Sequence, residues 1–434
     1  MENIEDTVVE LERTFTEANP QSRRYSEDAS LSLPGGVTNH GHFYRPFPLI
    51  MSRAKGCYFW DLDEHRYTDW LGNWTVGLYG HGNPVINSAV IDALKTRGAG
   101  GAPGVNDRRL AIELVARYPS IDRVLFCTSG SEACLYAISA ARAVSGRSTI
   151  MAFFNSYHAG LYYFGDNKEG PLNVPFPSLL STFNNVDGAL EMVAEHKNEL
   201  AAVIVEPMLA GGGSIPADRA FLSALRDCTS QHEILLIFDE VVTGRLGPAG
   251  LQGHYAITPD LTALGKWLSG GFAFGVIGGR ADIMEQFDPK RVGGLPHFGS
   301  AANNGAAVAA TLAGLTKLYP ADVATCLNKR GDALRAKLNT IIEQNSARMQ
   351  VTGLGSIMQV HFTRERIRSP RDLRLQNREL IHLFHLGMIA RGQHIAQSGR
   401  LTLSLPMNDD DINEFLESFE DFLRDHRHLL GKND

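Results

Sequence analysis

Between about residue 120 and residue 280 the sequence alternates short apolar runs with stretches of helical periodicity. The runs are rich in Val, Ile, Leu and Phe and are not interleaved with polar residues, as in RVLFCTSG, TIMAFF, LAAVIVEP, ILLIFDEV and GVIGG. Strands of this composition are buried on both faces, and the helices between them cover those faces. The pattern therefore predicts an α/β fold with a mostly parallel sheet.

A different pattern flanks this region on both sides. Residues 4 to 16 carry apolar side chains at helical spacing and lead into the turn-rich stretch LPGGVTNHGHFYRPFPL. Beyond about residue 310, amphipathic helices surround a strand-like SIMQVHF, and a closing helix begins with the acidic run DDD as its cap. We expect an N-terminal arm with part of a small domain in residues 1–66, a large domain in 67–310 and a smaller α+β domain in 311–434.

Composition and charge narrow the function classes. The formal net charge is −7 and no block of Lys and Arg occurs, so we expect a small-molecule partner, no nucleic acid and no membrane. The five cysteines include no C-x-x-C pair, which argues against a disulfide framework or a zinc site and favours the cytoplasm. No apolar run approaches the roughly 20 residues of a membrane span. His40 and His42 lack a nearby carboxylate, so we expect no metal site.

In open α/β sheets, ligands bind beyond the carboxyl ends of the strands, which makes the residues after each apolar run candidates. RVLFC is followed by TSGSEA, where small residues open a helix. Its free N–H groups would hold a phosphate at Ser129, Gly130 and Ser131, although an ordinary helix cap has the same sequence. ILLIF is followed by Asp239 and Glu240, which are either structural acids or acids that face a cationic group on a ligand.

Lys266 lies inside the apolar, glycine-rich run LTALGKWLSGG. Such surroundings desolvate an ammonium group, lower its pKa and make the amine a nucleophile toward carbonyls. Tyr157 and His158, which follow TIMAFF, could stack on a flat ring, although a lone aromatic is more often packing. A phosphate turn, an aromatic ring, an acidic strand end and a buried lysine together are what pyridoxal phosphate (PLP) needs.

The sequence resembles the class-III aminotransferases of fold type I. The shared stretches run through nearly the whole chain and are LPGGV, WDLDEHRYTDW, YGHGNP, SGSEA, YHAG, VEPM, FDEVVTGR, PDLTALGKWLSGG, GVIGGR, FGSAANN and LSLP. Within the family, the sequence is most similar to the branch that contains glutamate-1-semialdehyde aminomutases and β-amino-acid (β-phenylalanine) aminotransferases. The resemblance implies the PLP-dependent transferase fold, PLP as cofactor, and an amine or amino-acid donor with a keto-acid acceptor.

The resemblance also assigns roles to individual residues. Lys266 would form the Schiff base and act as general acid–base once released, while Asp239 would pair with the pyridine nitrogen. The implied cofactor contacts are Ser129, Gly130 and Ser131 at the phosphate, Tyr157 and Val241 on the two ring faces, and Glu206 near the ring. Ser300 stands where the family has a threonine that reaches the phosphate of the neighbouring subunit, which implies a homodimer with shared sites.

The sequence departs from the family at the residues that bind substrate. An arginine after PGG grips the substrate carboxylate in relatives, but His42 occupies the aminomutase position and Asn39 that of the β-amino-acid enzymes. Arg45 lies three residues beyond His42, and Arg391 and Arg400 lie in ARGQHIAQSGRLTLSLP. Each arginine is a candidate because a guanidinium forks onto a carboxylate.

Trp74 stands where relatives form a pocket wall, so it either favours an aromatic or apolar substituent or packs in the core. Three functions stay open on the residues alone: an aminotransferase for β-amino acids or hydrophobic amines, a PLP-dependent isomerase, and a PLP-binding protein without turnover. The intact Lys266, Asp239 and Tyr157 argue against the third. The two missing arginines argue against an ordinary glutamate-1-semialdehyde enzyme and favour the first.

Overall fold

The structure is a computed structural model that describes residues 3–98, 102–165 and 170–431. Its strands are β1 (Met51–Lys55), β2 (Tyr58–Asp61), β3 (Arg66–Asp69), β4 (Arg123–Cys127), β5 (Thr149–Phe153), β6 (Tyr157–Ala159), β7 (Tyr162–Tyr163), β8 (Ser178–Ser181), β9 (Leu200–Val205), β10 (Met208–Leu209), β11 (Ile215–Pro216), β12 (Leu235–Asp239), β13 (Leu261–Leu264), β14 (Gly275–Gly279), β15 (Gln350–Leu354), β16 (Ile357–His361), β17 (Gln393–His394) and β18 (Arg400–Thr402). Its α-helices are Ile4–Ala18, Pro20–Ala29, Pro84–Thr96, Val105–Arg117, Gly130–Ser145, Val186–His196, Arg219–Gln231, Gly250–Tyr255, Ala281–Met284, Gly305–Ala313, Ala321–Gln344, Arg378–Ile389, Asp409–Asp425 and Arg427–Leu430. Short 3₁₀ segments include Pro34–Gly36, His40–His42, Thr243–Arg245, Lys266–Ser269, Glu285–Phe287 and Pro370–Leu373.

A seven-stranded sheet in the order β4-β14-β13-β12-β9-β5-β8 forms the centre of the fold. All neighbouring strands are parallel except β14, which runs antiparallel to β13 and to β4. The predicted α/β class with a mostly parallel sheet is therefore confirmed. The run GVIGG is the antiparallel strand, because strand direction depends on the connections and not on the composition of the run. The pattern missed β8 and β13, and β13 leads directly into the segment of Lys266.

Alternate residues of the central strands enter two different apolar cores. Met151, Val203 and Phe238 pack with the helices Val186–His196 and Arg219–Gln231 on one face. Ile150, Ala202 and Ile237 pack on the other face against the alanine-rich side of the helix Gly130–Ser145. Burial of a side chain of the size of Ile or Phe stabilises the fold by about 1.5–3 kcal/mol. Two-sided burial explains why these strands lack polar alternation.

A four-stranded and a three-stranded sheet accompany the central one, together with the two-stranded pairs β6-β7 and β10-β11. In the first, β1, β2 and β3 pair in order, and β17 adds parallel to β3 with Gln393 opposite Thr68. The second contains β15, β16 and β18. The domain boundaries at residues 67 and 310 stay a prediction. Among the helices of residues 3–98, 102–165 and 170–431, none is long and apolar enough to cross a bilayer.

The first and last long helices lie close to where the pattern predicted them. The lead-in helix is Ile4–Ala18 and the closing helix is Asp409–Asp425. The expected acidic cap of the closing helix was wrong. Asn408, just before the acidic run, is the cap and accepts hydrogen bonds from the amides of Asp410 and Asp411, while the Asp411 carboxylate accepts the amide of Asn408. The short Asn side chain does here what an aspartate would do.

Candidate active site

The carboxyl ends of β9, β12 and β13 meet at one edge of the central sheet, where the predicted acids lie. Asp239, the last residue of β12, is buried, and its Oδ2 lies 2.8 Å from Nδ1 of the buried His158. A carboxylate only accepts hydrogen bonds, so Nδ1 carries the hydrogen in this pair. The other oxygen, Oδ1, accepts the amide of Val241 at 3.1 Å. The Asp239 carboxylate is therefore held in one orientation by two donors.

Glu206 follows β9 and closes the same edge. Its Oε1 accepts the amide of Tyr157 at 3.1 Å and its Oε2 the amide of Ala210 at 3.0 Å. Burial, and after it the nearby charge of Asp239, raise the pKa of Glu206 to about 7. The Tyr157 side chain is 43% exposed, which leaves its ring free to cover a ligand at this edge.

Lys266 begins the 3₁₀ segment that follows β13 and Gly265. Its φ of 49° lies in the left-handed region, which is unfavourable for a residue with a side chain and persists only where the surrounding structure holds it. Burial lowers the pKa of the Lys266 amine, and the charge of Arg400 lowers it further, while Asp239 and Glu206 act in the opposite direction without reversing the shift. A larger neutral fraction makes this amine a better nucleophile and a better base.

The helix Gly130–Ser145 begins beside these groups. The Ser129 side chain caps it by accepting the amide of Glu132 at 3.1 Å. The amides ahead of Glu132, those of Gly130 and Ser131, are then the ones that the helix leaves for an anion. A Cβ on Gly130 would stand 2.6 Å from the methyl carbons of Val241, so only glycine lets this turn close on the end of β12.

The geometry and chemistry of these residues fit PLP. The paired Asp239 carboxylate suits a ring N–H, and the half-exposed Tyr157 ring suits stacking. The helix start at Ser129 suits a phosphate dianion, and the Lys266 amine has a lowered pKa. His158 Nε2 is buried and has no hydrogen-bond partner within the described residues, so the histidine has no other anchor than Asp239.

Arg400 and Trp74 meet on another side of this site. Arg400 is 6% exposed, and its Nη2 donates to the carbonyl of Ala210, in the loop that Glu206 also binds. Its guanidinium carbon lies 5.6 Å from the centre of the Trp74 ring. Burial lowers the pKa of Arg400 to about 10, and Glu206 opposes the shift. The group still carries its charge at neutral pH.

Trp74 belongs to a strained turn. Gly72, Asn73, Trp74 and Thr75 all have positive φ, from 45° to 79°, and form a turn of left-handed helix. This conformation costs about 1–2 kcal/mol for each residue other than glycine. The indole also lies close to Gly41, where an added Cβ would stand 3.2 Å from the ring. The loop that carries Asn39 and His42 is thereby placed against Trp74.

Several other candidates have partners elsewhere or face solvent. Arg391 pairs with Asp425 at 2.5 Å, so the structure does not bring it to Arg400 and Trp74. Arg45 pairs with Glu379 at 2.7 Å. The side chain of Asn39 accepts the amide of Gly41, and both Asn39 and His42 are exposed. Ser300 is exposed in a loop of this chain.

Glu240 is a structural acid. It is fully buried, and its carboxylate accepts the amides of Leu251 at 2.8 Å and Gln252 at 2.9 Å together with the hydroxyl of Thr243 at 2.9 Å. Burial raises its pKa, and these donors oppose the shift. Of the two acids that end ILLIFDEV, only Asp239 faces the site.

Sequence reasoning missed the role of His158, which it treated as a ring stacker. His158 lies five residues beyond the end of β5, and Asp239 ends β12, two strands away in the sheet, so nothing in the local sequence indicated this pair. Sequence reasoning also missed Arg245, which is fully buried close to Trp74. In residues 3–98, 102–165 and 170–431, no group of three or more His, Cys, Asp or Glu side chains could hold a metal ion.

Comparison with known proteins shows the family to which the chain belongs. The family model described as "Aminotransferase class-III" matches residues 40–423. A β-phenylalanine transaminase of Variovorax paradoxus is 40% identical over 99% of this chain and 98% of its own. The solved structure of a β-phenylalanine aminotransferase of Variovorax paradoxus superposes with a TM-score of 0.97 at 39% identity, over 99% of this chain and all of the other. A glutamate-1-semialdehyde 2,1-aminomutase of Lachnoclostridium phytofermentans is 32% identical over 93% of this chain and 99% of its own.

Proposed function

The chain belongs to the class-III aminotransferases and is a PLP-dependent transaminase, and from that premise we propose that its donor is a β-amino acid or a hydrophobic amine and its acceptor a keto acid. The observation that carries this proposal is the contact between Arg400 and Trp74. A buried guanidinium beside an aromatic wall suits a molecule that has both a carboxylate and an aromatic or apolar group. The similarity to a β-phenylalanine transaminase supports the same substrate class.

When bound, PLP supplies an aldehyde that condenses with amines and a protonated ring that withdraws electrons from the substrate carbon. Lys266 attaches the cofactor through its amine and, once released, carries the proton away from the amine-bearing carbon on Nζ and returns it. Asp239 keeps the proton on the ring nitrogen, and His158 keeps Asp239 in place. Tyr157 and Val241 enclose the ring, Glu206 lies beside it, and Ser129, Gly130 and Ser131 hold the phosphate.

Arg400 holds the substrate carboxylate, and Trp74 forms the wall for the apolar group. Gly41, which lies close to Trp74, stands between Asn39 and His42 in the chain, and we assign these two residues to the rim of the substrate site. Arg391 has no part in this arrangement because it pairs with Asp425. One arginine of this segment is therefore assigned to the substrate and the other to the fold.

A half reaction with paired arginine variants tests the donor class. The yellow PLP-loaded enzyme is mixed with α-, β- and ω-amino acids and simple amines, without acceptor, and its visible absorption is followed. We expect bleaching by β-phenylalanine with release of a carbonyl product. A charged hydrogen bond contributes about 1.5–3 kcal/mol, so Arg400→Gln should raise the KM for β-phenylalanine at least about tenfold. It should leave the KM for 1-phenylethylamine, which has no carboxylate, within about threefold.

Arg391→Gln is the matched control, since it removes an arginine from the same segment and should leave both KM values unchanged. Bleaching by none of the donors would reject the proposed donor class and favour an isomerase that needs no acceptor. Equal effects of Arg400→Gln and Arg391→Gln on β-phenylalanine would reject the assignment of the carboxylate to Arg400.

A homodimer with shared sites is the second part of the proposal. Ser300 is exposed in this chain, and so are Phe298 at 83% and Val292 at 101% of their possible surface. Apolar side chains exposed to this degree on one loop suit a surface that another protomer covers. Ser300 would then offer its hydroxyl to the phosphate in the partner's site.

Ser300→Ala should weaken the retention of PLP about tenfold, because it removes one hydrogen bond to a charged phosphate. Dialysis of the loaded enzyme against buffer, followed by absorbance of the protein-bound cofactor, measures this loss. Ser148→Ala is the control, because Ser148 is also an exposed serine but lies far along the sequence from this loop. Its replacement should leave the retention of PLP unchanged.

Mixed dimers separate a contribution to the partner's site from one to the chain's own site. One protomer carries Lys266→Ala and the other Ser300→Ala. The intact Lys266 then lies in the same chain as the mutated serine, while the intact serine lies in the partner chain. If Ser300 acts across the interface, the mixed dimer retains PLP at that lysine as the wild type does. Loss of PLP from the mixed dimer, or a fully active monomer, would refute the shared site.

We also place the protein in the cytoplasm. The five cysteines are free, and Cys57, Cys127 and Cys134 are buried. Free buried thiols suit a reducing compartment, which agrees with the charge and cysteine pattern of the sequence.

A further inference from the structure

The left-handed turn Gly72–Thr75 is anchored at its first end by Asp69. The Asp69 carboxylate is 5% exposed, and its Oδ1 accepts the amides of Leu71 at 3.2 Å and Gly72 at 2.9 Å. Its Oδ2 lies 2.8 Å from Nε2 of His81. Burial by itself raises the pKa of Asp69, but the nearby imidazoles of His394 and His81 outweigh it and hold the pKa below its usual range. The anchor is therefore an ionised carboxylate.

Arg245 anchors the other end of the turn. Its side chain is fully buried, and Nη1 donates to the carbonyl of Thr75 at 3.4 Å. Its Nη2 donates to the carbonyl of Leu403, which follows β18 and lies three residues after Arg400. One guanidinium thus ties the turn that carries Trp74 to the segment that carries Arg400.

The surroundings of Arg245 show that these two bonds are its main interactions. Among the residues that the structure describes, no carboxylate lies within ion-pair distance of Arg245. Its backbone is fixed as well, because its carbonyl accepts Oη of Tyr319 at 2.8 Å and Nδ2 of Asn328 at 3.0 Å. A buried guanidinium without a counter-ion is unfavourable for folding. An apolar side chain of the same size would fill this space at a smaller cost in folding free energy.

We propose that Asp69 and Arg245 are positioning residues that clamp the left-handed turn from both ends and thereby fix Trp74 relative to Arg400. The clamp rests on the proposed function, in which Arg400 and Trp74 receive the carboxylate and the apolar group of the donor. Neither clamp residue touches substrate or cofactor. Their effect is on recognition of the donor and not on the chemical step.

Arg245→Met tests the clamp, since methionine fills much of the volume without donating hydrogen bonds. We expect the KM for β-phenylalanine to rise about tenfold while kcat falls by less than about threefold. A purely structural role would lower the fraction of active enzyme and hence kcat, with KM unchanged. Amide hydrogen exchange, followed by mass spectrometry without substrate, should rise about tenfold in peptides that cover residues 70–78 and 400–406.

Arg147→Met is the matched control. Within the described residues, the Arg147 side chain also donates to backbone carbonyls alone, with Nη1 at 3.1 Å from the oxygen of Leu200, 3.3 Å from that of His232 and 3.2 Å from that of Glu233. Leu200 begins β9, so this arginine lies at the edge of the sheet opposite the site. Its replacement should change neither the KM nor the exchange of the two peptides.

Asp69→Asn keeps an acceptor for the amides of Leu71 and Gly72 but loses the charge beside His81, and it serves if Arg245→Met does not fold. We expect its KM for β-phenylalanine to rise about threefold and exchange to rise in the peptide of residues 70–78. An unchanged KM together with unchanged exchange in a folded variant would overturn the clamp. Failure of the proposed function is a separate result, because the wild-type enzyme would then ignore every donor while the exchange measurement still reports on the clamp.

Discussion

Replacing Lys266 by alanine should lower turnover by about 10⁴-fold or more, because the variant loses both the nucleophilic amine and the base that moves the proton. The visible absorption of the PLP-loaded protein should disappear with it, since the variant lacks the buried amine that would hold the cofactor aldehyde. Stopped-flow measurement of the half reaction and absorption spectra of the reconstituted protein test both effects. The apo-protein should melt at the same temperature as the wild type or slightly higher, since burial of the amine is unfavourable.

Lys317→Ala is the control for this experiment. Lys317 is exposed, so its removal should leave turnover and absorption unchanged. A Lys266→Ala protein that turns over at the wild-type rate would refute the assignment of the catalytic amine. A variant that loses turnover but keeps the visible absorption would show that another lysine holds the cofactor.

Replacing Asp239 by asparagine should lower kcat by about 10³-fold, which corresponds to about 4 kcal/mol of activation free energy. The amide can still accept the amide hydrogen of Val241, but it has no charge to keep a proton on the ring nitrogen. His158 then donates its hydrogen bond to a neutral amide oxygen and no longer to a carboxylate. Cofactor affinity should fall far less than kcat, because the phosphate and ring contacts remain. Separate titration of PLP binding and of single-turnover rates distinguishes the two effects.

Asp260→Asn is a stringent control because Asp260 is also a buried acid beside a central strand. It precedes β13 at the opposite edge of the sheet and pairs with Arg226 at 2.9 Å and Arg280 at 2.8 Å. Its replacement should reduce the free energy of unfolding while leaving kcat within about threefold. A similar loss of kcat in both variants would mean that Asp239 acts through stability alone.

The positions of the cofactor-side candidates were predictable from the sequence because these residues follow buried strands. Composition placed β9 and β12, and parallel neighbours bring their carboxyl ends to one edge, so Glu206 and Asp239 had to lie close together. Lys266 stood out because burying a charged lysine in an apolar run is unfavourable in free energy. The chemical roles assigned to Glu206, Asp239 and Lys266 stay predictions.

The substrate side was not predictable, because it depends on which way side chains point. Arg391 and Arg400 lie nine residues apart in one segment. The first follows the helix Arg378–Ile389 and pairs with Asp425, whereas the second begins β18 and is buried at Ala210. Nothing in their local sequence separates the arginine that pairs with Asp425 from the one that is buried beside Trp74.

The clamp formed by Asp69 and Arg245 was even less predictable from sequence patterns. Arg245 belongs to FDEVVTGR, which indicated the family, but its partners Thr75 and Leu403 are 170 and 158 residues away. The left-handed turn has only one glycine, Gly72, and no composition signal for three further residues with positive φ. Such a turn exists because distant groups hold it, and local propensity does not describe those groups.

The pairing of β17 with β3 gives the two halves of the site a different order of completion during synthesis. A chain leaves the ribosome from its N-terminus, and domains fold as their residues emerge. The central sheet is complete once β14 has emerged, so the cofactor-facing residues from Ser129 to Lys266 can assemble early. His394 reaches Asp69, and Leu403 reaches Arg245, only near the end of translation. On the proposed function, the residues of one chain that would hold the cofactor are thus in place before those that would select the substrate.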